Sequence, residues 1–289
     1  MQKFWWRWLL VLVALAGALV AANHNRTQQG TQAAHFVNST TPTLFFHGWG
    51  SSYHAEQQMA NYALSRGVTT TIVRADVAKD GQVTWYGRLT PGARNPIIEV
   101  NLQNNKSVKP GAGSIVDAYA NSSQYVLAVM RAVKAKYGFT RVNVVAHSMG
   151  NLQVYYYLRA HGQDRTLPQI QKLVNLAGHW NGLVIESGAT DVTLAANGRP
   201  SSMLPQYQGL LSLRQTFPRQ IDVLNVYGNS KNNTDGTVPN VSSRSLRWLV
   251  AGRAHSYQEE VIKGPGGQHS QLHENKAVDQ LLVRFLWQK

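Results

Sequence analysis

Short β-branched runs alternate with helix-like stretches from residue 43 to the end of the chain. The strand-like runs are 43–47, 69–77, 141–146, 172–177, 221–227 and about 257–262, and helical spacing covers 54–66, 117–137, 149–161 and 274–287. Parallel strands need a long crossover connection, and a helix usually supplies it. The alternation therefore predicts an α/β fold in which helices flank a mostly parallel central sheet.

Two segments interrupt this alternation. Residues 83–104 hold two strand-like runs separated by Pro91-Gly92, which predicts a hairpin that leaves the sheet. Residues 178–220 separate two strands by a stretch too long for an ordinary connection. Because this stretch contains the apolar runs 183–185 and 204–213, we expect it to form a partly apolar cap over the functional site.

The first 22 residues combine a basic start with an apolar run. Lys3 and Arg7 are basic, and residues 9–22 are apolar and end in small side chains. This composition is typical of an export signal, while the length also suits a retained N-terminal membrane anchor. Both alternatives place the remainder outside the cytoplasm, either secreted or anchored to the cell membrane. Residues 23–41 are polar and predict a tether, so we expect the folded domain to cover 42–289.

The absence of cysteine excludes several kinds of site. Disulfides, thiolate nucleophiles and Cys-ligated zinc are impossible without it. None of the ten histidines belongs to an H-E-x-x-H motif or another metal-ligand spacing. We therefore expect neither a metal nor a cofactor.

The chain is strongly basic, with a formal net charge of +14. Without residues 1–22, 26 basic residues remain against 14 acidic ones, a net charge of +12. This charge predicts attraction to an anionic membrane or wall polymer. Because the basic residues are dispersed and form no nucleic-acid motif, we do not expect nucleic acid as a partner.

The most informative motif is the pentapeptide AHSMG at 146–150, which follows a strand-like run directly and precedes a helix directly. A strand–turn–helix of this kind exposes its central serine on a sharp turn, and small residues two positions away relieve crowding there. The helix N-terminus below that serine favours a developing negative charge. The motif predicts Ser148 as a nucleophile; the alternative is an ordinary serine N-cap.

An oxyanion site needs two hydrogen-bond donors. The backbone N–H of Met149, directly after the serine, is one candidate. The second should lie after an earlier strand, where HGWG at 47–50 allows close approach of the backbone, and we predict the N–H of Trp49. The alternative is that this segment is only a tight turn.

The acid and the base should follow the serine in that order. Asp235 lies in the loop after the strand at 221–227, whereas its competitor Asp222 begins that strand. His269 lies in a glycine-rich loop and is the predicted base, while His273, expected in the first turn of the last helix, is the alternative base. His147 is expected to support the turn at the serine.

Taken together, these motifs resemble the α/β-hydrolase superfamily, and more narrowly the exported or cell-surface α/β hydrolases of Gram-positive bacteria, grouped as a family of uncharacterised function. The resemblance covers about residues 42–288 and rests on six segments in the expected order: LFFHGWGSS, NPIIEVNLQNN, NVVAHSMGNLQ, KLVNLAGHWNG, VYGNSKNNTDGTVP and HSQLHEN. It implies a Ser148–Asp235–His269 triad with Trp49 and Met149 as backbone donors. It also implies a carboxylesterase or lipase-like activity.

The resulting hypothesis is an exported serine hydrolase that cleaves small carboxylic esters through an acyl-enzyme. The modest size of the predicted cap favours short to medium acyl chains, because a small pocket stops gaining from added methylenes. Two alternatives stay open. An acyltransferase would use the same triad, and a non-catalytic cell-surface module would use the basic face to bind anionic polymer.

Overall fold

The computed structural model describes residues 36–109 and 113–289, which form an eight-stranded sheet with the strand order β3-β2-β4-β1-β5-β6-β7-β8. The strands are β1 Thr43–Phe46, β2 Ile72–Val77, β3 Val83–Tyr86, β4 Ile97–Leu102, β5 Arg141–His147, β6 Gln169–Leu176, β7 Asp222–Asn229 and β8 Ser256–Lys263. Every neighbouring pair is parallel except β2 and β3. The prediction of a mostly parallel α/β sheet is confirmed.

Helices cover both faces of the sheet. The α-helices are α1 His54–Ser65, α2 Ile115–Tyr137, α3 Met149–His161, α4 Pro205–Gln208, α5 Leu213–Thr216, α6 Asn240–Arg244, α7 Leu246–Val250 and α8 Lys276–Trp287, and two 3₁₀ turns span Pro265–Gly267 and His269–Glu274. One core cluster joins α2 and α3 to one face, and a second cluster joins α1 and α8 to the other. Strands buried on both faces read as nearly continuous apolar runs, as in β4 and β5.

The predicted hairpin at 83–104 is wrong. Its second run is β4, which lies inside the sheet between β1 and β2 and is parallel to both. Its first run is β3, a half-exposed edge strand that pairs antiparallel with β2. The physical reason is that β4 carries buried apolar residues on both of its faces: Ile97, Ile98, Val100 and Leu102. This pattern suits a central strand and not a hairpin with one solvated side.

Only part of the segment 178–220 behaves as the predicted apolar cap. Apolar residues of the run 204–213, including Tyr207, Leu210 and Leu213, are fully buried and belong to the core cluster on the α2 and α3 face. The run 183–185 stays at the surface, where Ile185 is 84% exposed. The segment is therefore mainly a wall of the domain, with one short apolar stretch left on its outside.

The folded domain begins before residue 42. Of the predicted tether, the described residues 36–41 lie against the domain: the Val37 N–H donates to the Trp287 carbonyl at 2.7 Å, and the Asn95 side chain donates to the Val37 carbonyl at 2.7 Å. The predicted signal or anchor at 1–22 lies outside the described residues. Within the described part of the chain, no helix is both long and apolar enough to cross a membrane.

Candidate active site

Ser148 lies on a strained turn between β5 and α3. Its φ and ψ are 51° and −120°, a conformation that a non-glycine residue rarely adopts. Its N–H donates to the Leu176 carbonyl at 2.9 Å, which fixes the turn to the end of β6. A Cβ at Gly150 would lie 2.8 Å from the carbonyl oxygens of Phe46 and His47, so only glycine lets α3 start this close to β1.

The structure brings the side chains of Ser148, His269 and Asp235 into one hydrogen-bonded chain. The serine Oγ lies 3.0 Å from His269 Nε2, and His269 Nδ1 lies 2.8 Å from Asp235 Oδ2. The other carboxylate oxygen accepts from the N–H groups of Thr237 and Val238 at 2.8 and 2.7 Å. These two bonds hold the buried carboxylate in one orientation, in which Oδ2 faces the imidazole.

Two glycines, one near the end of β7 and one in the glycine-rich loop before His269, bring the acid and the base together. A Cβ at Gly228, near the end of β7, would lie 1.8 Å from the Gly267 carbonyl oxygen and 2.9 Å from Asp235 Cβ. A Cβ at Gly267 would lie 2.0 Å from the Ile262 carbonyl oxygen. The loops that carry Asp235 and His269 can therefore touch only because both positions lack a side chain.

The N–H of Met149 is available beside the serine oxygen. Met149 is the first residue of α3, and the first N–H groups of a helix have no intrahelical acceptor. This N–H lies at the positive end of the helix dipole, directly after Ser148, where it can interact with a negative oxygen.

The N–H of Trp49 is oriented by the buried ring of His47. The Leu102 N–H donates to His47 Nε2 at 3.0 Å, so the ring hydrogen is on Nδ1, which donates to the Gly48 carbonyl at 2.8 Å. Burial lowers the pKa of His47, which keeps this ring neutral. In a planar trans peptide the N–H points away from the carbonyl, so the Trp49 N–H points away from the His47 ring. The loop lies against the serine, because a Cβ at Gly48 would lie 3.0 Å from Ser148 Cβ.

A second loop, which follows β4, holds the segment 48–51 in place. The Gly50 N–H donates to the Asn105 carbonyl at 2.8 Å, and the Asn105 side chain donates back to the Ser51 carbonyl at 2.7 Å. Trp49 Nε1 donates to the Val108 carbonyl at 2.8 Å. Sequence reasoning missed this support because it had assigned the run before Asn105 to a hairpin, and the only available signal was the apolar run of β4.

The competing acid, Asp222, is not in this site. It begins β7, and its Oδ1 accepts from Ser256 Oγ at 2.6 Å and lies 2.7 Å from His255 Nδ1. The start of a parallel strand lies at the opposite edge of the sheet from the turn at Ser148. The structure thus places Asp235, and not Asp222, beside the imidazole.

His273 lies near the site without contacting the serine oxygen. It is in the 3₁₀ turn His269–Glu274 and not in the first turn of α8, as the sequence had predicted. Its Nδ1 lies 3.2 Å from Glu274 Oε1, and its ring is edge-on to that of His147 with centroids 5.0 Å apart. Burial lowers the pKa of His273. Of these two histidines, only His269 is hydrogen-bonded to the side-chain oxygen of Ser148.

His147 supports the base loop as well as the turn. Its Nε2 lies 3.1 Å from the backbone carbonyl oxygen of His269, so this nitrogen carries the hydrogen and donates it. Burial and the neighbouring His269 lower the pKa of His147 well below its ordinary value, so the ring stays neutral. The predicted support role therefore extends across 122 residues of sequence.

The arrangement is suited to acyl transfer. A hydroxyl hydrogen-bonded to an imidazole can lose its proton as it attacks a carbonyl carbon, and a carboxylate on the other ring nitrogen keeps the required tautomer. Within residues 36–109 and 113–289, no cluster of three or more His, Asp or Glu side chains could hold a metal ion.

Comparison with known proteins identifies the family to which this fold belongs. Residues 30–289 match the family described as alpha/beta hydrolase of unknown function (DUF915). The chain is similar to the crystal structure of a gene product of Listeria innocua, with 25% identity and a TM-score of 0.75 over 86% of this chain and 94% of that one. It is also similar to a Lactobacillus plantarum protein inferred to be a cell surface hydrolase, with 19% identity and a TM-score of 0.70 over 86% and 92% of the two chains. A comparison with curated proteins finds no match.

Proposed function

The chain belongs to this family of α/β hydrolases, and from that premise we propose that it is a serine hydrolase of carboxylic esters. One observation carries the proposal. Ser148 Oγ, on a strained turn at a helix N-terminus, is 3.0 Å from an imidazole whose other nitrogen is 2.8 Å from a buried carboxylate. Strain at this turn is costly and persists where function needs the side chain exposed in one direction.

In the proposed mechanism Ser148 Oγ attacks the ester carbonyl carbon while His269 Nε2 takes the hydroxyl proton. The N–H groups of Trp49 and Met149 stabilise the negative oxygen of the tetrahedral intermediate. The C–O bond to the leaving alcohol then breaks, and His269 gives that alcohol its proton. A water molecule attacks the acyl-enzyme with His269 again as base, the carboxylic acid leaves, and Ser148 recovers its proton. Asp235 holds the imidazole throughout.

The proposed acyl chain is short to medium. Long chains need an extended apolar surface, because each methylene contributes about 0.8 kcal/mol only when it is fully desolvated. The larger apolar run of segment 178–220 packs into the core, so the exposed large apolar residues of the segment are Val184 and Ile185. Val184 lies next to the loop that carries Asp235, because its N–H donates to the Thr237 carbonyl at 2.9 Å.

We also propose that the protein acts outside the cytoplasm, secreted or attached to the membrane. The basic and apolar composition of residues 1–22 supports export, and the similar Lactobacillus protein has been inferred to act at the cell surface. The net charge of +12 on the remainder would draw it to anionic lipid or wall polymer. Attachment to anionic vesicles that weakens as salt rises would support this electrostatic attraction. Equal binding to neutral vesicles would contradict the attraction.

A panel of p-nitrophenyl esters of two to sixteen acyl carbons tests the function, run with and without a serine-directed phosphonate. Maximal kcat/KM at short to medium length, with phosphonate attached to Ser148, supports the proposal. Ser148→Ala should lower kcat about a thousandfold or more, because the covalent route disappears. Ser65→Ala, a change of an exposed helix serine, is the matched control. If Ser148→Ala kept more than a tenth of wild-type turnover, the mechanism would be overturned.

Product analysis with an added alcohol separates hydrolysis from acyl transfer. Release of free acid supports the hydrolase, and preferential formation of a new ester would instead assign an acyltransferase with the same nucleophile. Anionic-polymer binding without any turnover would favour the non-catalytic alternative.

A further inference from the structure

A second polar pair is buried beside the proposed active site. Tyr119 on α2 and His179 in the segment after β6 are 5% and 4% exposed, and the tyrosine oxygen lies 2.8 Å from His179 Nε2. Tyr119 is also stacked on Tyr156 of α3, with ring centroids 5.5 Å apart. Neither side chain belongs to the Ser148–His269–Asp235 chain, so the proposed mechanism leaves the pair without a role.

The pair lies close to the nucleophile and the base. His179 is three residues beyond Leu176, whose carbonyl holds the Ser148 N–H at 2.9 Å. Between them Ala177 adopts a φ of 50°, which turns the chain sharply at this edge of the sheet. Burial, and to a smaller extent electrostatic repulsion from His269, lower the pKa of His179 to about 3, as expected for two rings within electrostatic reach.

His179 Nδ1 has no hydrogen-bond partner among the described residues, although it is buried. A buried polar atom without a partner costs stability unless a ligand or water supplies the missing bond. The low pKa means that the ring is neutral, so one nitrogen is a donor and the other an acceptor. A ligand or water that binds here must therefore be complementary to whichever role falls to Nδ1.

The Tyr119 hydroxyl decides that role. Among the described residues its only partner is His179, so its hydrogen is satisfied if it donates to Nε2. Nδ1 then carries the ring hydrogen and is a single unsatisfied donor. In the reverse arrangement both the tyrosine hydrogen and Nδ1 would lack partners, which is the more costly alternative.

We propose that His179, held by Tyr119, is a specificity-determining residue whose Nδ1–H binds a neutral oxygen of the substrate near the scissile ester. The substrate class is thus an ester with a hydroxyl or carbonyl oxygen close to the reacting carbon, and not a plain alkyl ester. This inference rests on the proposed esterase function. The oxygen can belong to the acyl group or to the leaving alcohol, and the two sources are separated by the test.

The test compares kcat/KM for matched esters. The acyl arm uses p-nitrophenyl lactate and 3-hydroxybutyrate, in both enantiomers, against propionate and butyrate. The alcohol arm uses 2-hydroxyethyl butyrate against propyl butyrate. One hydrogen bond should favour the oxygen-bearing ester by about tenfold in one arm. The arm that shows the preference identifies the source of the oxygen.

The variants test whether His179 causes the preference. His179→Phe should reduce the ratio to about one, and His179→Asn should restore part of it, because the asparagine amide can place an N–H near the position of Nδ1. Tyr119→Phe keeps the ring on Tyr156 and removes only the hydroxyl, so it serves if His179→Phe fails to fold; it should lower the ratio about threefold or more. His161→Phe, on the outer end of α3, is the matched control for the ratio.

Two failures are distinguishable. If the wild type hydrolyses plain and oxygen-bearing esters equally well in both arms, or if no variant changes the ratio, the inference is overturned while the esterase function stands. If no ester is hydrolysed at all, the proposed function itself is overturned.

Discussion

The ring of His147 donates a hydrogen bond to the backbone carbonyl of His269, with Nε2 3.1 Å from the oxygen. His147 is the residue directly before Ser148, so this bond ties the turn that carries the nucleophile to the loop that carries the base. The His269 N–H is held as well, because it donates to the Asp235 carbonyl at 2.9 Å. Both backbone groups of His269 are thus fixed, the carbonyl by the residue before the proposed nucleophile and the N–H by the proposed acid.

Replacing His147 should therefore misplace the base without removing it. We expect His147→Leu to lower kcat about tenfold to a hundredfold with a smaller effect on KM, because small misplacements of a catalytic group cost rate. His147→Gln retains a donor of similar reach and should recover much of the loss. Steady-state kinetics on a short acyl ester measures both. An increase in KM with kcat unchanged in His147→Leu would contradict a positioning role.

Asp235→Asn should lower kcat by about a thousandfold or more, because the amide cannot hold the imidazole in the required tautomer. The matched control is Asp222→Asn, at the far end of β7, where the carboxylate interacts with His255 and Ser256. We expect that variant to keep activity within about threefold. The opposite order of effects would reassign the acid to Asp222.

His269→Ala should be nearly as damaging as the loss of the serine, since the proton would have no acceptor. His273→Ala should cost about tenfold or less, because its ring packs against His147 and does not reach the serine oxygen. The comparison is made on kcat/KM with one short acyl ester. Equal and severe losses in the two variants would leave no basis for choosing His269.

Asn105→Ala should lower kcat about tenfold while KM changes little, because the side chain fixes the loop that carries the Trp49 N–H. Asn104→Ala is the matched control, since the neighbouring side chain donates to the Tyr125 hydroxyl at 2.8 Å and does not touch that loop. A phosphonate transition-state analogue should lose affinity for the Asn105 variant in proportion to kcat. An effect of equal size in both variants would contradict the assignment.

Glu99 should make the fold less stable as pH rises. It is 5% exposed on β4, and burial raises its pKa to about 7, although the charges of Arg74 and His54 act in the opposite direction. Because the folded pKa exceeds the unfolded one, the neutral carboxyl contributes its full stability below about pH 4. That contribution is lost as pH rises through about 7.

Glu99→Gln should consequently raise the melting temperature relative to wild type by about 2 °C or more at pH 8, and by less at pH 5. Thermal unfolding followed by circular dichroism at the two pH values measures this. Glu260→Gln, at an exposed position on β8, is the control and should show no such difference between the two conditions. A Glu99 variant with the same pH dependence as wild type would show that burial does not govern this carboxyl.

Local patterns determined the order and type of most elements. The alternation of strand-like and helix-like stretches predicted the mostly parallel sheet. Neighbouring residues set the local backbone preference and decide which side of a strand or helix is apolar. The same locality explains why AHSMG could be recognised as a strand–turn–helix motif. The strand at 97–102 was recognised, but its partners were not, since an apolar run does not say which neighbours cover its two faces.

The sequence predicted which residues act with Ser148, but only the tertiary structure decided how they reach it. His269 is 121 residues away along the chain, and its approach depends on Gly228 and Gly267, whose backbones touch where a Cβ would not fit. The support from Asn105 and the buried Tyr119–His179 pair likewise join segments that no local pattern connects. Distances between such segments are set by how the sheet and its helices pack, and packing is a property of the whole chain.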